Sequence, residues 1–473
     1  MIINKVLLAV FFFTLILSAQ ITNENLFAKL DSLTSVSFFD TASVSIDVFD
    51  LTADINLYQK NNKLLMHPAS NMKVLTTAAA LFFLDKDFAF ETSLCYDGIV
   101  IDSTLYGNLF FVGGCDPDFT STDLQVLVSA VKDLGIKQIE GNIYGDVSML
   151  DSLFWGNGWM WDDDPSTDFP YLTPLTINDN AVKVHVFSTV VNSIAKVTVE
   201  PVTSFFKIDN FAETVNDVRT SLEITRDFVH RKNDIIVKGN INQSDSIYSN
   251  EINIVYPEKY FLTLAIEELE KLGISLIGTT NISTLPEGTK HIFTFKRKFT
   301  DVLNNLNKQS DNLSAEMTLR ALALNFYGKP ASAENGVHLV DSLITIVGMD
   351  PRNYRIVDGS GVSHYNLVST ELLNAVLIYF YLHQPELYTT LSQSFPLAGV
   401  DGTLKRRMKN TSAENNVRAK TGTISGVSSL SGYVTTKSKH QLSFSMMIQN
   451  HVRKTYRAVY FLDQICSLLS ELE

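Results

Sequence analysis

The sequence predicts a mixed α/β (α+β) fold: a central sheet flanked by helices, assembled from both ends of the chain, with a β-rich region inserted between them. Three observations predict it. Residues 43–66 alternate apolar and polar side chains with period two and lead straight into the apolar helical run "NMKVLTTAAALFFL". From about 90 to 290 short strand-like runs dominate. After residue 297 long helical stretches return, and the chain closes with two or three strand-like segments and a helix.

The elements follow in order. "MIINKVLLAVFFFTLILSAQ" has one lysine, a largely apolar run from Val6 to Leu17, and small residues at Ser18 and Ala19. That pattern reads as a secretory signal peptide over 1–19, too short and weakly flanked for a membrane span. No cysteine follows it, which argues against lipid attachment. The mature chain is expected to start near residue 20, outside the cytoplasm, with no stable membrane span. "SVSIDVFDL" and "NLYQKNNKLLM" read as strands, the second as a hairpin turning at Asn61-Asn62. A helix is expected from Ser70 to about Leu84. Strands come next ("GNLFFVGG", "IEGNIYGDVSML", "AVKVHVFSTVV", "SIAKVTVEPV", "DIIVKGNI"), with helices near 121–134 and 258–272. Helices return over 299–324, 331–348 and 369–382. "NNVRAKTGTISGVSSLSGYVTT" and "QLSFSMMIQN" complete the sheet, and 454–472 covers it. The expected division is a discontinuous domain of 20–89 plus 291–473, interrupted by a 90–290 insertion of two nested modules.

Composition limits the function. A net charge of −13 with no basic run argues against a nucleic-acid partner. Three cysteines do not make a disulfide scaffold. Cys95 and Cys115, on neighbouring strand-like segments, could pair in an oxidising compartment or stand as two buried thiols; Cys466 reads as core.

The chemistry rests on short motifs. Ser-x-x-Lys occurs four times, at Ser70–Lys73, Ser129–Lys132, Ser193–Lys196 and Ser204–Lys207. The last two lie in strand-like runs, where residues three apart face opposite sides. Ser129 lies within an amphipathic helix with no loop entry. Ser70 follows Pro68 at a helix mouth, where positions i and i+3 share a face and free backbone N–H groups favour developing negative charge. Downstream stand Ser310-Asp311-Asn312 and Lys420-Thr421-Gly422-Thr423. Ser-x-x-Lys, Ser-x-Asn and Lys-Thr-Gly in this order form the motif set of β-lactamases and penicillin-binding proteins. A serine hydroxyl needs a base to become nucleophilic. Neutral Lys73 can serve if burial and Lys420 lower its pKa. Ser310 can pass the proton to the departing amine, and Asn312 can hold Lys73 and the substrate amide. Lys420 with the Thr421 and Thr423 hydroxyls would receive a carboxylate, and Gly422 allows close backbone approach. The Ser70 and Thr423 N–H groups would form the oxyanion hole.

With these motifs, the sequence resembles the D-alanyl-D-alanine carboxypeptidase/endopeptidase family of class C low-molecular-mass penicillin-binding proteins (peptidase family S13). "PASNMK", "GGCDPDF", "GWMWDD", "DGSGVS" and "GVDGTLKRR" carry the likeness across most of the chain. The gap of 240 residues from Ser70 to Ser310 suits a transpeptidase-like domain with inserted domains and is too long for a class A β-lactamase. Three positions depart from the family pattern: His364, where arginine is common, and Cys115 and Asp118, where smaller residues are usual. The resemblance implies an exported enzyme acting on the D-Ala-D-Ala bond or D-centred crosslinks of peptidoglycan stem peptides, through an acyl-Ser70 intermediate. It implies β-lactams as inhibitors and neither metal nor organic cofactor. The alternatives are a β-lactamase or esterase on the same scaffold, which the long insertion disfavours, and a silent wall-binding protein, which retention of Lys73, Asn312 and Lys420 disfavours.

Other residues have simpler readings. His67 precedes the helix and packs or faces solvent. Asp162, Asp163 and Asp164, with Trp155, Trp159 and Trp161 around them, read as a structural loop packed on aromatics rather than a metal site. Asp311 braces the Ser310 loop. The apolar face of 454–472 lacks the flanking basic stripe of a membrane-surface helix and reads as core.

Overall fold

The computed structural model describes residues 23–473 except 86, 217 and 453–454. The signal segment proposed for 1–19 lies outside the described residues. Among those residues, no helix is long and apolar enough to cross a membrane.

Both ends of the chain build one antiparallel sheet. Its strand order is Arg418–Ile424, Val427–Thr435, Gln441–Gln449, Ser43–Asp50, Ile55–Lys60. Period-two alternation decides what each face meets. Val44, Ile46, Val48, Leu442, Phe444, Met446 and Ile448 point one way, into a cluster with Phe461, Leu462, Ile465 and Cys466 of the closing helix Thr455–Ser470. Ser45, Asp47, Ser443 and Ser445 point the other way and are buried. Their polar atoms are mostly paired, as buried polar groups must be. Ser45 Oγ bonds Thr370 Oγ1 at 2.7 Å, and Asn374 Nδ2 donates to Asp47 at 2.5 Å. These bonds tie the Thr370–His383 helix to the sheet. Beyond it, the helices Met72–Phe83, Asn312–Tyr327 and Ala333–Ile346 share an apolar core that includes Leu75, Met317, Leu343 and Phe380.

Among the described residues, 89–298 hold four further sheets. The first and last of their strands, Ala89–Tyr96 and Lys290–Lys298, pair with each other. A single apolar cluster runs from Leu94 and Leu105 through Val184 and Ala212 to Phe261, across all four sheets.

Several expectations change. The first hairpin turns at residues 51–54, not at Asn61-Asn62: Asp50 Oδ1 accepts from the Thr52 and Ala53 amides and stabilises a tighter turn. Asn61 does turn the chain (φ 51°), but into a loop ending on the Met66–Val368 bridge. Ser193 and Ser204 sit in turns beside strands rather than in them. Cys95 and Cys115 are buried free thiols. Of the three tryptophans, Trp155 and Trp159 pack edge to face, whereas Trp161 is 74% exposed. Helices Asn23–Leu33 and Pro385–Ser394 add to those expected.

Candidate active site

The Ser70 turn is shaped before its helix begins. Ala69 takes a left-handed φ of 48°, and a 3-10 turn over Ala69–Asn71 leads into the helix Met72–Phe83. Such a φ is costly for alanine and must be held from outside. Gly361 holds it: a Cβ there would lie 1.9 Å from the Ala69 carbonyl oxygen, so the "DGSG" loop seats directly on the turn. One turn on, Lys73 Nζ donates to Ser70 Oγ at 2.9 Å.

Lys73 is fully buried. Its Nζ also donates to Asn312 Oδ1 at 2.5 Å and to the Ser360 carbonyl at 2.9 Å. Burial pulls the ammonium down to about 8, while the charges of Asp311, Asp358, Glu316 and Asp168 oppose the shift. Lys420, equally buried, is held well below the lysine range by burial and by repulsion from Lys73. Sequence reasoning assigns part of the Lys73 shift to Lys420. In the structure burial is the first cause of the shift, and the repulsion between the two buried amines, which is mutual, acts in the same direction.

Ser310 arrives from a different element. A π-turn over Asn305–Gln309 ends on Ser310 at φ 67°, and Asp311 then caps the helix Asn312–Tyr327 by accepting from the Ser314 amide at 2.5 Å. This break aims Ser310 Oγ at Lys420 Nζ, which donates to it at 2.8 Å. Asn312 turns its Nδ2 to the Asp168 carbonyl at 2.5 Å.

The Lys-Thr-Gly strand is the edge of the sheet, and the Ser70 turn packs on one face of it and of its neighbour Val427–Thr435. Gly422 makes the contact possible. A Cβ there would stand 2.2 Å from Ser429 Oγ and 2.9 Å from both the Ser70 amide nitrogen and the Pro68 oxygen. Asn71 locks the same junction. With its amide nitrogen donating to the Lys420 carbonyl (2.7 Å), its oxygen accepts from Ser431 Oγ (2.8 Å) and the Leu430 amide (3.1 Å). This orientation satisfies every partner.

A cleft of about 530 Å³ opens onto these groups. Ser70, Ser310, Asn312, Thr421 and Thr423 line it, with Asp163, Asp168, Phe169, His364, Thr403 and Arg407 around them. Thr403 and Thr421 hydroxyls bond at 2.7 Å, and Arg407 is braced by Asp463 at 2.6 Å. Lys420 is not at the surface of the cleft; it stands behind Ser310. The other Ser-x-x-Lys pairs are remote from it: Ser129 Oγ donates to the Val126 carbonyl and Ser204 Oγ to Glu267. His67 is turned to the Asn366 carbonyl and packs edge-on against His364 at 5.7 Å. Asp163 caps the Met160 amide, and Asp164 is buried against Arg226 and Tyr171.

The chain matches the D-Ala-D-Ala carboxypeptidase 3 (S13) family over residues 26–467. It belongs to that family. D-alanyl-D-alanine carboxypeptidase DacB of Haemophilus influenzae is 30% identical over 445 residues, covering 89% of this chain and 91% of the relative. The D-alanyl-D-alanine carboxypeptidase of Actinomadura sp. (strain R39) is 26% identical over 437 residues, covering 89% and 80%. The crystal structure of penicillin binding protein 4 (dacB) from Haemophilus influenzae superposes with a TM-score of 0.83 at 27% identity, covering 93% of this chain and 99% of that one. The resemblance and the fold class expected from sequence therefore hold, and the chain is a serine peptidase of the D-Ala-D-Ala carboxypeptidase type.

Sequence reasoning did not find Asn71, Glu316, Thr403 or Arg407. Asn71 acts through strand register, which no motif encodes. Glu316 was visible in principle, four residues after Asn312 on the same helix face. Thr403 and Arg407 lie inside "GVDGTLKRR", a run that carried the likeness but no assigned chemistry.

Proposed function

We propose that this chain is an exported DD-peptidase that cleaves D-Ala-D-Ala termini or D-centred crosslinks of peptidoglycan stem peptides through acyl-Ser70. The carrying observation is the buried Lys73 amine, 2.9 Å from Ser70 Oγ. A neutral amine has two N–H bonds and one lone pair. Asn312 and Ser360 accept the two N–H bonds, leaving the lone pair for the Ser70 hydroxyl proton. Ser70 Oγ then attacks the scissile carbonyl carbon as its proton passes to Lys73. The Ser70 and Thr423 N–H groups stabilise the oxyanion, a contribution of about 10²–10³ in rate per donor. The C–N bond breaks as Ser310, polarised by Lys420, gives its proton to the departing amine and takes up in turn the proton held by Lys73, which returns to the neutral amine. Water then hydrolyses the ester. Thr421, Thr423 and Thr403 offer hydroxyls to the substrate carboxylate, with Ser310 between them and Lys420.

In this reading the catalytic body comprises the two ends of the chain, and the β-rich insertion forms a wall of the cleft through Asp163, Asp168 and Phe169. β-Lactams acylate the same serine. A likeness to the Haemophilus influenzae penicillin binding protein 4 structure complexed with a β-lactam supports this, at TM-score 0.77 and 26% identity. The substrate places the enzyme outside the cytoplasm. Chromatography and mass analysis of purified muropeptides after digestion test the substrate assignment. Loss of one alanine from pentapeptides, or conversion of crosslinked dimers to monomers, is expected. Unchanged muropeptides with active, penicillin-labelled protein would refute it.

A further inference from the structure

One face of the helix Asn312–Tyr327 carries Asn312, Glu316 and Arg320 at four-residue spacing. All three are buried, Glu316 completely and Arg320 to 2% exposure. Asn312 reaches Lys73 directly. Glu316 reaches it through the loop: Oε1 accepts from the Gly359 and Ser360 amides, both at 2.9 Å, and the Ser360 carbonyl accepts from Lys73. Glu316 Oε2 is held by Arg320 Nη1 at 2.9 Å. Gly359 is pressed onto the helix, since a Cβ there would lie 2.7 Å from the Ala315 oxygen. The serine helix grips the same peptide from the other side, Thr76 Oγ1 donating to the Gly359 carbonyl at 2.7 Å.

A buried carboxylate with an arginine is not a stabilising device in itself, because desolvation offsets most of the attraction. Its placement at both amides of one peptide bond segment calls for another account. We propose that Glu316 is a positioning residue for acylation: it fixes the Gly359–Ser360 segment so that the Ser360 carbonyl and Asn312 together occupy both N–H bonds of neutral Lys73 and leave its lone pair on Ser70. This rests on the reading of Lys73 as the base. Glu316 also contributes charge. Lys73 is faced by Asp311, Asp358, Glu316 and Asp168 and by the cation of Lys420; Glu316 is faced by Arg320 and Asp358, and Arg320 by Cys115. Without the Glu316 charge the Lys73 amine would hold its proton less tightly.

The test measures the rate of acylation of the full chain by a fluorescent penicillin against pH. Removing Glu316 alone would strand Arg320, so two paired variants are used. Glu316→Gln with Arg320→Met keeps the acceptor oxygen without the charge. It is expected to acylate within about threefold of wild type above the acid limb, because the loss of the Arg320 cation opposes the effect of the lost Glu316 charge on that limb. Glu316→Ala with Arg320→Met removes the acceptor as well. It is expected to acylate about 30-fold or more slowly at every pH, with a melting midpoint matching the first variant. Equal rates in the two variants overturn the proposal. Should either pair fail to fold, Thr76→Val loosens the same peptide from the opposite side while leaving the charges intact. A roughly tenfold slower acylation with an unmoved limb supports the proposal, and a wild-type rate overturns it. Failure of the base assignment itself would appear separately, as labelling that survives Ser70→Ala in the otherwise native chain.

Discussion

Gly422→Ala adds one methyl group at the junction between the edge strand and the nucleophile turn. Gly422 lies in the extended strand Arg418–Ile424, so alanine can adopt its backbone conformation and the effect is steric. The new Cβ would meet Ser429 Oγ at 2.2 Å and the backbone atoms Ser70 N and Pro68 O at 2.9 Å. The Ser429 hydroxyl can rotate away, at the expense of its 2.7 Å bond to the Pro68 carbonyl. The backbone atoms have no such freedom, and ordinary contact requires them to retreat by roughly half an ångström. Overpacking of this kind costs about 1–3 kcal/mol, less than the stability of a typical domain, so the variant folds. The displaced group is the Ser70 amide, the donor assigned to the oxyanion, and its retreat should slow acylation by about 10- to 100-fold. Time courses of fluorescent penicillin labelling, with melting curves on the same samples, measure both effects. A labelling rate within twofold of wild type would refute the argument that Gly422 sets the distance between strand and nucleophile.

Other outcomes follow from the same geometry. Because Lys73 must be neutral to accept the serine proton, acylation should rise with pH through about 8 in the free enzyme, and Lys73→Met should abolish labelling. The stability effect runs in the same direction with pH. A lysine whose folded pKa lies below its unfolded value of about 10.4 penalises the folded state at pH 7, by about 3 kcal/mol here before discounting the hydrogen bonds it makes. The penalty is relieved as pH rises from about 8 to the unfolded value, so urea unfolding should show wild type gaining stability relative to Lys73→Met across that window. A constant difference would contradict the burial argument. Asn71→Ala removes the side-chain partner of the Lys420 carbonyl and the Leu430 amide, and one of the two partners of Ser431 Oγ, and should cost about 2–4 kcal/mol in urea unfolding; a loss below about 0.5 would refute the lock.

Much of the site was legible because its chemistry is written in short, local patterns. Ser70 and Lys73 share a helix face, Ser310 and Asn312 flank a helix start, and Lys420 to Thr423 form one strand. Their meeting was legible only through the order of the motifs. What escaped depends on contacts between distant segments. Asn71 reads as filler inside "SNMK" until strand register sets it against Lys420 and Ser431. Gly361 gains its meaning from the Ala69 carbonyl. The fold shows the same division. Alternation in 43–66 announced strands of a half-buried sheet, whereas the buried polar face of Ser45, Asp47, Ser443 and Ser445 that tethers a helix emerged only from the fold. The hairpin was misplaced because Asn61-Asn62 is a generic turn signal, whereas the real turn is held by the Asp50 carboxylate reaching forward two and three residues. The helix Pro385–Ser394 carried a sound start signal, proline at its first position, but followed too closely on its predecessor to be separated by pattern alone.

Mass mapping of the penicillin adduct tests the central claim most directly. Wild-type protein labelled with a fluorescent penicillin and digested with a protease should yield one modified peptide, carrying the acyl group on Ser70, and Ser70→Ala should yield none. Label that persists in Ser70→Ala, or an adduct mapped to another residue, would contradict the account.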